Sequence, residues 1–221
     1  MATLDSVDLI TNQQPRCACA LILDTSESMK GARIDALNAG LRTLRKDLLD
    51  HQLAQKRVEI AVVEFNSSAR VVQDFATAAD FQPPSLTASG VTEMADGINR
   101  ALDLIQQRKA KYRSHGVPFY RPWAFLITDG QPTSSSNDMD AVTRRIHDDE
   151  LNKRVIFFSV GVQGADFTCL ERLSTQKPKM LDGLKFEELF LWLSNSLDRV
   201  SQAKMGEMAS LPKGNWESVP V

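Results

Sequence analysis

Two short, almost wholly apolar runs, each closing on an aspartate, constrain this chain more than any other feature: CACALILD (Cys17 to Asp24) and, within Pro122 to Gly130, WAFLITD. Runs this short without polar alternation are read as central strands covered on both faces, because a helix buried all round needs more length. From Ala32 to about His51 the apolar residues Ile34, Leu37, Leu41, Leu44 and Leu48 recur at steps of three and four, the stripe of a helix packed on one side. Met94, Ile98, Leu102 and Ile105 mark a second helix, a third runs from about Met139 through Val142 and Ile146, and Phe186 to Val200 closes the series.

Between these helices lie further strand candidates. Val58 to Asn66 is β-branched, and Ala69 to Phe75 follows almost at once as a hairpin partner, which predicts one antiparallel edge strand. Arg154 to Val162 reads as another buried strand, with a short helix near Phe167 to Leu173 and a small strand at Lys179 to Asp182 after it. Strands alternating with helices predict a doubly wound α/β fold: a mostly parallel sheet with one antiparallel edge strand and helices on both faces. The expected organisation is a polar segment over 1–15, one domain over 16–203 and a mobile C-terminal tail over 204–221. In such open sheets ligands bind beyond the carboxyl ends of the strands, where Asp24 and Asp129 are expected.

The 221 residues carry 43% apolar and 24% charged side chains with a formal net charge of −2, an ordinary globular composition without the positive field that gathers nucleic acid or anionic lipid. No run approaches the roughly 18 apolar residues of a membrane span, and the opening residues are polar, so neither a nucleic acid nor a membrane is an expected partner and the expected compartment is the cytoplasm. Cys17, Cys19 and Cys169 fit a reducing compartment, being an odd number with no zinc or disulfide spacing.

Directly after the first strand comes D-T-S-E-S, in which Asp24, Ser26 and Ser28 alternate through one turn. Thr92, before the second helix, and Asp129, in L-I-T-D-G, come from two other loops at the same edge, so five oxygen side chains can converge. Hydroxyl and carboxylate oxygens without His or Cys select Mg²⁺, with Mn²⁺ or Ca²⁺ as alternatives, rather than zinc. Mg²⁺ keeps some of its waters, so two carboxylates leave a position for an outside ligand.

At these residues the sequence resembles the von Willebrand factor type A family, whose metal-ion-dependent adhesion site is D-x-S-x-S with a Thr and an Asp from later loops. The resemblance covers Cys17 to about Val200. It implies metal ligation by Ser26 and Ser28, by Thr92 in the ligand-ready form and by Asp24 and Asp129 largely through water, with an Asp or Glu of a partner protein supplying the missing oxygen. Within the family the chain looks most like bacterial TerY-type tellurite-resistance proteins, which implies a stress-response setting with kinase-like or phosphatase-like partners. Glu27 stands where many relatives carry Gly and adds a negative charge near the metal.

Simpler readings compete at several positions. D-T-S-E-S alone is also a helix N-cap. His147-Asp148-Asp149-Glu150 is read as a solvated helix end, and Arg108, Lys109, Lys111 and Arg113 as favourable charge at a helix C-terminus, with an anion or acidic protein as the alternative. Trp192 and Phe190 are expected in the core, whereas Trp216 is a candidate contact residue of the tail. The chain has no P-loop, no H-E-x-x-H and no histidine beside a serine-nucleophile motif. An enzyme is therefore not expected. The alternative is a haloacid-dehalogenase-like phosphatase, whose D-x-D pattern would need a carboxylate where Ser26 stands.

Overall fold

The computed structural model describes residues 9–204, 206–207 and 209–218. Its strands are β1 (Cys17–Asp24), β2 (Val58–Phe65), β3 (Ala69–Thr77), β4 (Trp123–Thr128), β5 (Ile156–Gly161), β6 (Lys179–Leu181) and β7 (Glu217–Ser218). The helices are α1 (Ala32–Asp50), the single turn α2 (Ala54–Arg57), α3 (Met94–Ser114), α4 (Ser136–Leu151), α5 (Phe167–Leu173) and α6 (Phe186–Gln202). One sheet runs in the order β3-β2-β1-β4-β5-β6-β7. β1, β2, β4, β5 and β6 are parallel, and β3 is antiparallel to β2 as the sequence predicts.

Alternation along β1 divides the interior in two. Cys17, Cys19, Leu21 and Leu23 join Leu37, Leu41 and Leu44 of α1 and Leu189, Leu193 and Leu197 of α6 in one core. Ala18, Ala20 and Ile22 face the other way, into the core built with Ile98, Leu102 and Ile105 of α3 and Ile146 of α4. Burial on both faces is why the β1 run is apolar throughout, since period-2 alternation of polarity arises only where one face is wet. At Gly40 a side chain would stand 2.4 Å from the Phe190 ring, so α1 and α6 pack with the ring against the backbone. Among the described residues no helix is long and apolar enough to cross a membrane.

Three expectations are corrected. Trp216 is not a contact residue: it is fully buried, its ring 5.4 Å from that of Trp192, and its carbonyl accepts from the Asp182 amide at 2.8 Å. The chain there returns to the sheet as β7, a second antiparallel edge strand, held also by the Lys179–Glu217 ion pair. Of the tail expected over 204–221, residues 205, 208 and 219–221 lie outside the described residues.

The basic run is more than favourable charge at a helix C-terminus at its first two positions. Arg108 is buried with Nε 2.6 Å from Glu59, and Lys109 is buried, donating to the Arg154 carbonyl at 3.1 Å. In the third case His147 and Asp148 are exposed as expected, but Asp149 and Glu150 are buried. Glu150 accepts from the Ser174 hydroxyl at 2.8 Å and the Thr175 amide at 2.9 Å, which ties α4 to the segment after α5. Trp192 and Phe190 lie in the core as expected.

Candidate metal centre

The parallel strands point their carboxyl ends at one edge, and each predicted donor sits on a segment leaving it. Asp24 ends β1, and its Oδ1 accepts from the Ser26 amide at 2.8 Å, curling the chain into the 3₁₀ turn Glu27–Met29. That curl brings the Ser26 and Ser28 hydroxyls to 3.0 Å, and the Ser28 hydroxyl donates to Asp129 Oδ1 at 2.6 Å. A side-chain carbon placed on Gly130 would lie 3.1 Å from Thr92 Oγ1 and 3.7 Å from Asp24 Oδ2, so the Thr92 hydroxyl and the Asp24 carboxylate flank one small space that glycine keeps open. Asp24, Ser26, Thr92 and Asp129 are buried, while Ser28 is exposed at the rim. The N-cap role seen at this edge is performed by the side chains of Ser135, accepting from the Asp138 amide of α4, and Asp166, accepting from the Cys169 amide of α5, rather than by anything in D-T-S-E-S. Ser26, at the cap position of the 3₁₀ turn, makes no such bond.

Neighbouring loops brace this arrangement. Thr25 donates its amide to the Phe65 carbonyl at 2.8 Å, and its own carbonyl accepts from Ser89 at 2.8 Å, while the Glu27 amide donates to the Gly90 carbonyl at 3.0 Å. Thr133 donates its amide to the Thr92 carbonyl at 2.9 Å, and its hydroxyl accepts from the Thr92 amide at 3.1 Å. Glu93 accepts from the hydroxyls of Thr133 and Ser134 at 2.9 and 3.0 Å. The Thr92 backbone is thus fixed on both sides, leaving its hydroxyl beside the Gly130 space.

Two participants escaped the sequence reading. Thr128 donates its hydroxyl to Asp24 Oδ2 and accepts from the Gly130 amide, so it orients the carboxylate from the end of β4. Its place immediately before Asp129 was the available signal. Arg33, in the first turn of α1, pairs through Nη1 with Asp129 Oδ2. No local pattern connects residues this far apart in sequence.

Burial pushes the Asp24 carboxyl above its usual range; bonds from Ser26 and Thr128 oppose the shift, and the nearby Asp129 charge adds to it. Glu27, by contrast, lies exposed and paired with Lys30, so its charge is balanced outside the cluster. Among the described residues no group of three or more His, Cys, Asp or Glu side chains could hold a metal, so a cation here would rest on hydroxyls as much as on carboxylates. That donor chemistry, hard oxygens around a space kept open by Gly130, fits Mg²⁺.

The profile of von Willebrand factor type A domains matches residues 20–189, from within β1 to the first turn of α6. The chain belongs to that family. Solved structures agree in fold with this vWA domain: a von Willebrand factor type A protein from Catenulispora acidiphila has 17% identity and a TM-score of 0.65, over 84% of this chain and 43% of that one. The pilus adhesin SpaC of Lactobacillus rhamnosus GG, in its open conformation, has 13% identity and a TM-score of 0.66, over 86% and 31%. The ArnB paralog VWA2 of Sulfolobus acidocaldarius has 15% identity and a TM-score of 0.55, over 82% and 45%. The vWA chain spans less than half the length of these three relatives. No curated protein matches it.

Proposed function

We propose that this vWA domain is a protein-interaction module, not an enzyme, that holds Mg²⁺ through Asp24, Ser26, Ser28, Thr92 and Asp129 and uses it to bind an Asp or Glu of a partner protein. The gathering of these side chains at the carboxyl edge of the sheet, with Thr92 and Asp24 flanking the space at Gly130 and the Ser26, Ser28 and Asp129 oxygens linked in a chain of hydrogen bonds, supports the reading. When bound, the dication supplies a Lewis-acidic position that a carboxylate from outside can complete.

The chain's own residues prepare that position. Asp24 is turned toward it by Thr128 and the Ser26 amide, and Ser28 is tied to Asp129 by a hydroxyl bond that leaves oxygen lone pairs available. Thr92 is held by its backbone with its hydroxyl beside the open space. Exposed Ser28 and half-exposed Val91 mark the rim from which a partner would approach.

The setting we propose is the cytoplasmic stress response that the TerY-type resemblance implies, with kinase-like or phosphatase-like partners and neither nucleic acid nor membrane. Three cysteines without a disulfide support the reducing compartment. The haloacid-dehalogenase-like alternative has no support: the family match is to vWA domains, and Ser26 stands where that chemistry needs a second carboxylate.

Calorimetric titration with Mg²⁺ and Mn²⁺, paired with affinity capture of partners in the presence and absence of chelator, tests the proposal. One principal metal site lost in Asp24→Ala, and partner capture lost in chelator, are the expected results. A double variant Asp24→Ala/Asp129→Ala that titrates like the wild type would reduce the cluster to a turn motif, and Mg²⁺-dependent phosphate release from generic esters that disappears in Asp24→Asn would favour the phosphatase.

A further inference from the structure

Among the described residues Arg33 is the one cationic side chain seen to pair with a member of the donor cluster, and its placement is over-determined. Nη1 meets Asp129 Oδ2 and also donates to the Ser28 carbonyl at 3.0 Å, while Nη2 donates to the Gln163 carbonyl, just beyond β5, at 3.0 Å. Two backbone carbonyls from different loops therefore hold the guanidinium at the rim whatever Asp129 does. The Asp129 side chain is fully buried and that of Arg33 is 31% exposed, so the pair joins an interior charge to a solvent-facing one.

We propose that Arg33 is a built-in counter-cation that competes with the divalent ion for Asp129 and thereby lowers the metal affinity of the site. This rests on the metal-binding reading above. The physical case is one of charge: Asp24 and Asp129 together offer two negative charges, and a fixed guanidinium on Asp129 cancels one of them before any metal arrives. A dication entering the site faces both a weakened attraction to Asp129 and direct repulsion from a cation held in place by Ser28 and Gln163. Asp129 Oδ1 is already engaged by Ser28, and Oδ2 by Arg33, so an incoming cation must share or displace the Arg33 contact. In return, the metal-free cluster avoids a bare carboxylate in the interior, which would otherwise be costly.

The sign of the effect separates this role from a merely structural one. If Arg33 only shaped the loops, removing it would loosen the cluster and weaken metal binding. A competitor does the opposite.

The experiment is calorimetric titration of the full chain with Mn²⁺ at low salt, comparing wild type, Arg33→Gln and Arg33→Lys, with a thermal melt of each metal-free variant to confirm folding. Arg33→Gln is expected to bind Mn²⁺ at least about tenfold more tightly, equivalent to about 1.4 kcal/mol. Arg33→Lys, which keeps the charge, should stay within a few-fold of wild type, and the gain in Arg33→Gln should shrink as potassium chloride is raised, because the pair reaches solvent. Equal or weaker Mn²⁺ binding by a folded Arg33→Gln, with the wild type still binding, would overturn the role of Arg33 and leave the metal-dependent reading standing. An absence of Mn²⁺ binding in all three proteins would overturn both.

Discussion

The two ends of the sheet each bury a polar cluster, and the clusters are built on opposite principles. At the amino end of the strands, Glu59 near the start of β2 lies between Arg16 and Arg108, with Nε atoms at 3.5 and 2.6 Å, and also accepts from the Tyr112 hydroxyl. All four side chains are buried. Arg16 is further anchored through donation to the Lys56 and Asn12 carbonyls at 2.8 and 2.9 Å. At the carboxyl end Asp24 is served by a hydroxyl and a backbone amide, and only Asp129 has a cation, partly in solvent. One cluster carries its counter-charge inside the protein and is closed; the other is short of positive charge and opens to the surface. A buried carboxylate supplied with its own cations is a structural joint, whereas the one given neutral donors is the part of the molecule on which the proposed metal site rests.

Replacing Glu59 should break the closed end. Glu59→Gln leaves two buried guanidinium groups facing a neutral amide, and urea denaturation should show a loss of about 3 to 5 kcal/mol. Metal titration of the folded fraction should be unchanged, because the site lies at the other edge; a parallel loss of Mn²⁺ binding would mean that the two ends are coupled.

Asp24→Asn should do the reverse. The amide oxygen can still accept from Ser26, so metal-free stability should change by less than about 1 kcal/mol, a modest figure for exchanging one hydrogen-bonded acceptor for another. Mn²⁺ affinity should fall at least about a hundredfold, or about 2.7 kcal/mol. A large stability loss with affinity intact would make the open cluster structural after all.

Thr92→Ala sharpens the contrast within the open end. Its hydroxyl flanks the Gly130 space while its backbone carries the loop contacts, so the fold should be spared and capture of an acidic partner weakened by about 1.5 to 3 kcal/mol, the range of a charge-assisted contact. An unchanged complex in both Thr92→Ala and chelator would place the partner on another surface.

The smallest effect concerns the cysteines of β1. Burial pushes the Cys17 thiol up to about 12, with the Glu59 charge adding to the shift, and burial raises Cys19 well above its usual range. Both should resist thiol reagents at pH 8 in the native protein and react on unfolding, whereas half-buried Cys169 should react sooner. The native state keeps protons that the unfolded thiols lose above their ordinary value of 9.0, so stability should decline as pH rises beyond it. Rapid labelling of Cys17 in the native state would show the amino end of β1 to be less closed than its contacts imply.

Much of this was legible in local pattern. The unbroken apolar runs of β1 and β4 required two covered faces, the three-and-four spacing of Leu37, Leu41 and Leu44 gave α1 its buried side, and the close spacing of β2 and β3 gave the antiparallel edge. The α/β alternation places Asp24 and Asp129 at strand ends on the carboxyl edge, whereas Ser26, Ser28 and Thr92 are singled out by their oxygen side chains and by the D-x-S-x-S resemblance. Hydrophobic period and turn chemistry act over a few residues, and so does the information they leave in a sequence.

Only the tertiary structure decided the partners of the long polar and aromatic side chains. Arg108 and Lys109 read locally as a helix end, yet α3 runs back to the amino edge of the sheet, where Glu59 and the Arg154 carbonyl lie. Trp216 has no apolar periodicity around it in sequence and finds Trp192 across the fold. Glu150 meets Ser174 and Thr175, and Arg33 meets Asp129, through contacts that no period or motif announces. A backbone element is specified by its own residues, but a charge or an indole is satisfied by whatever the completed fold brings within reach, so chain topology and not local propensity settled which of these groups became structural and which stand at the site.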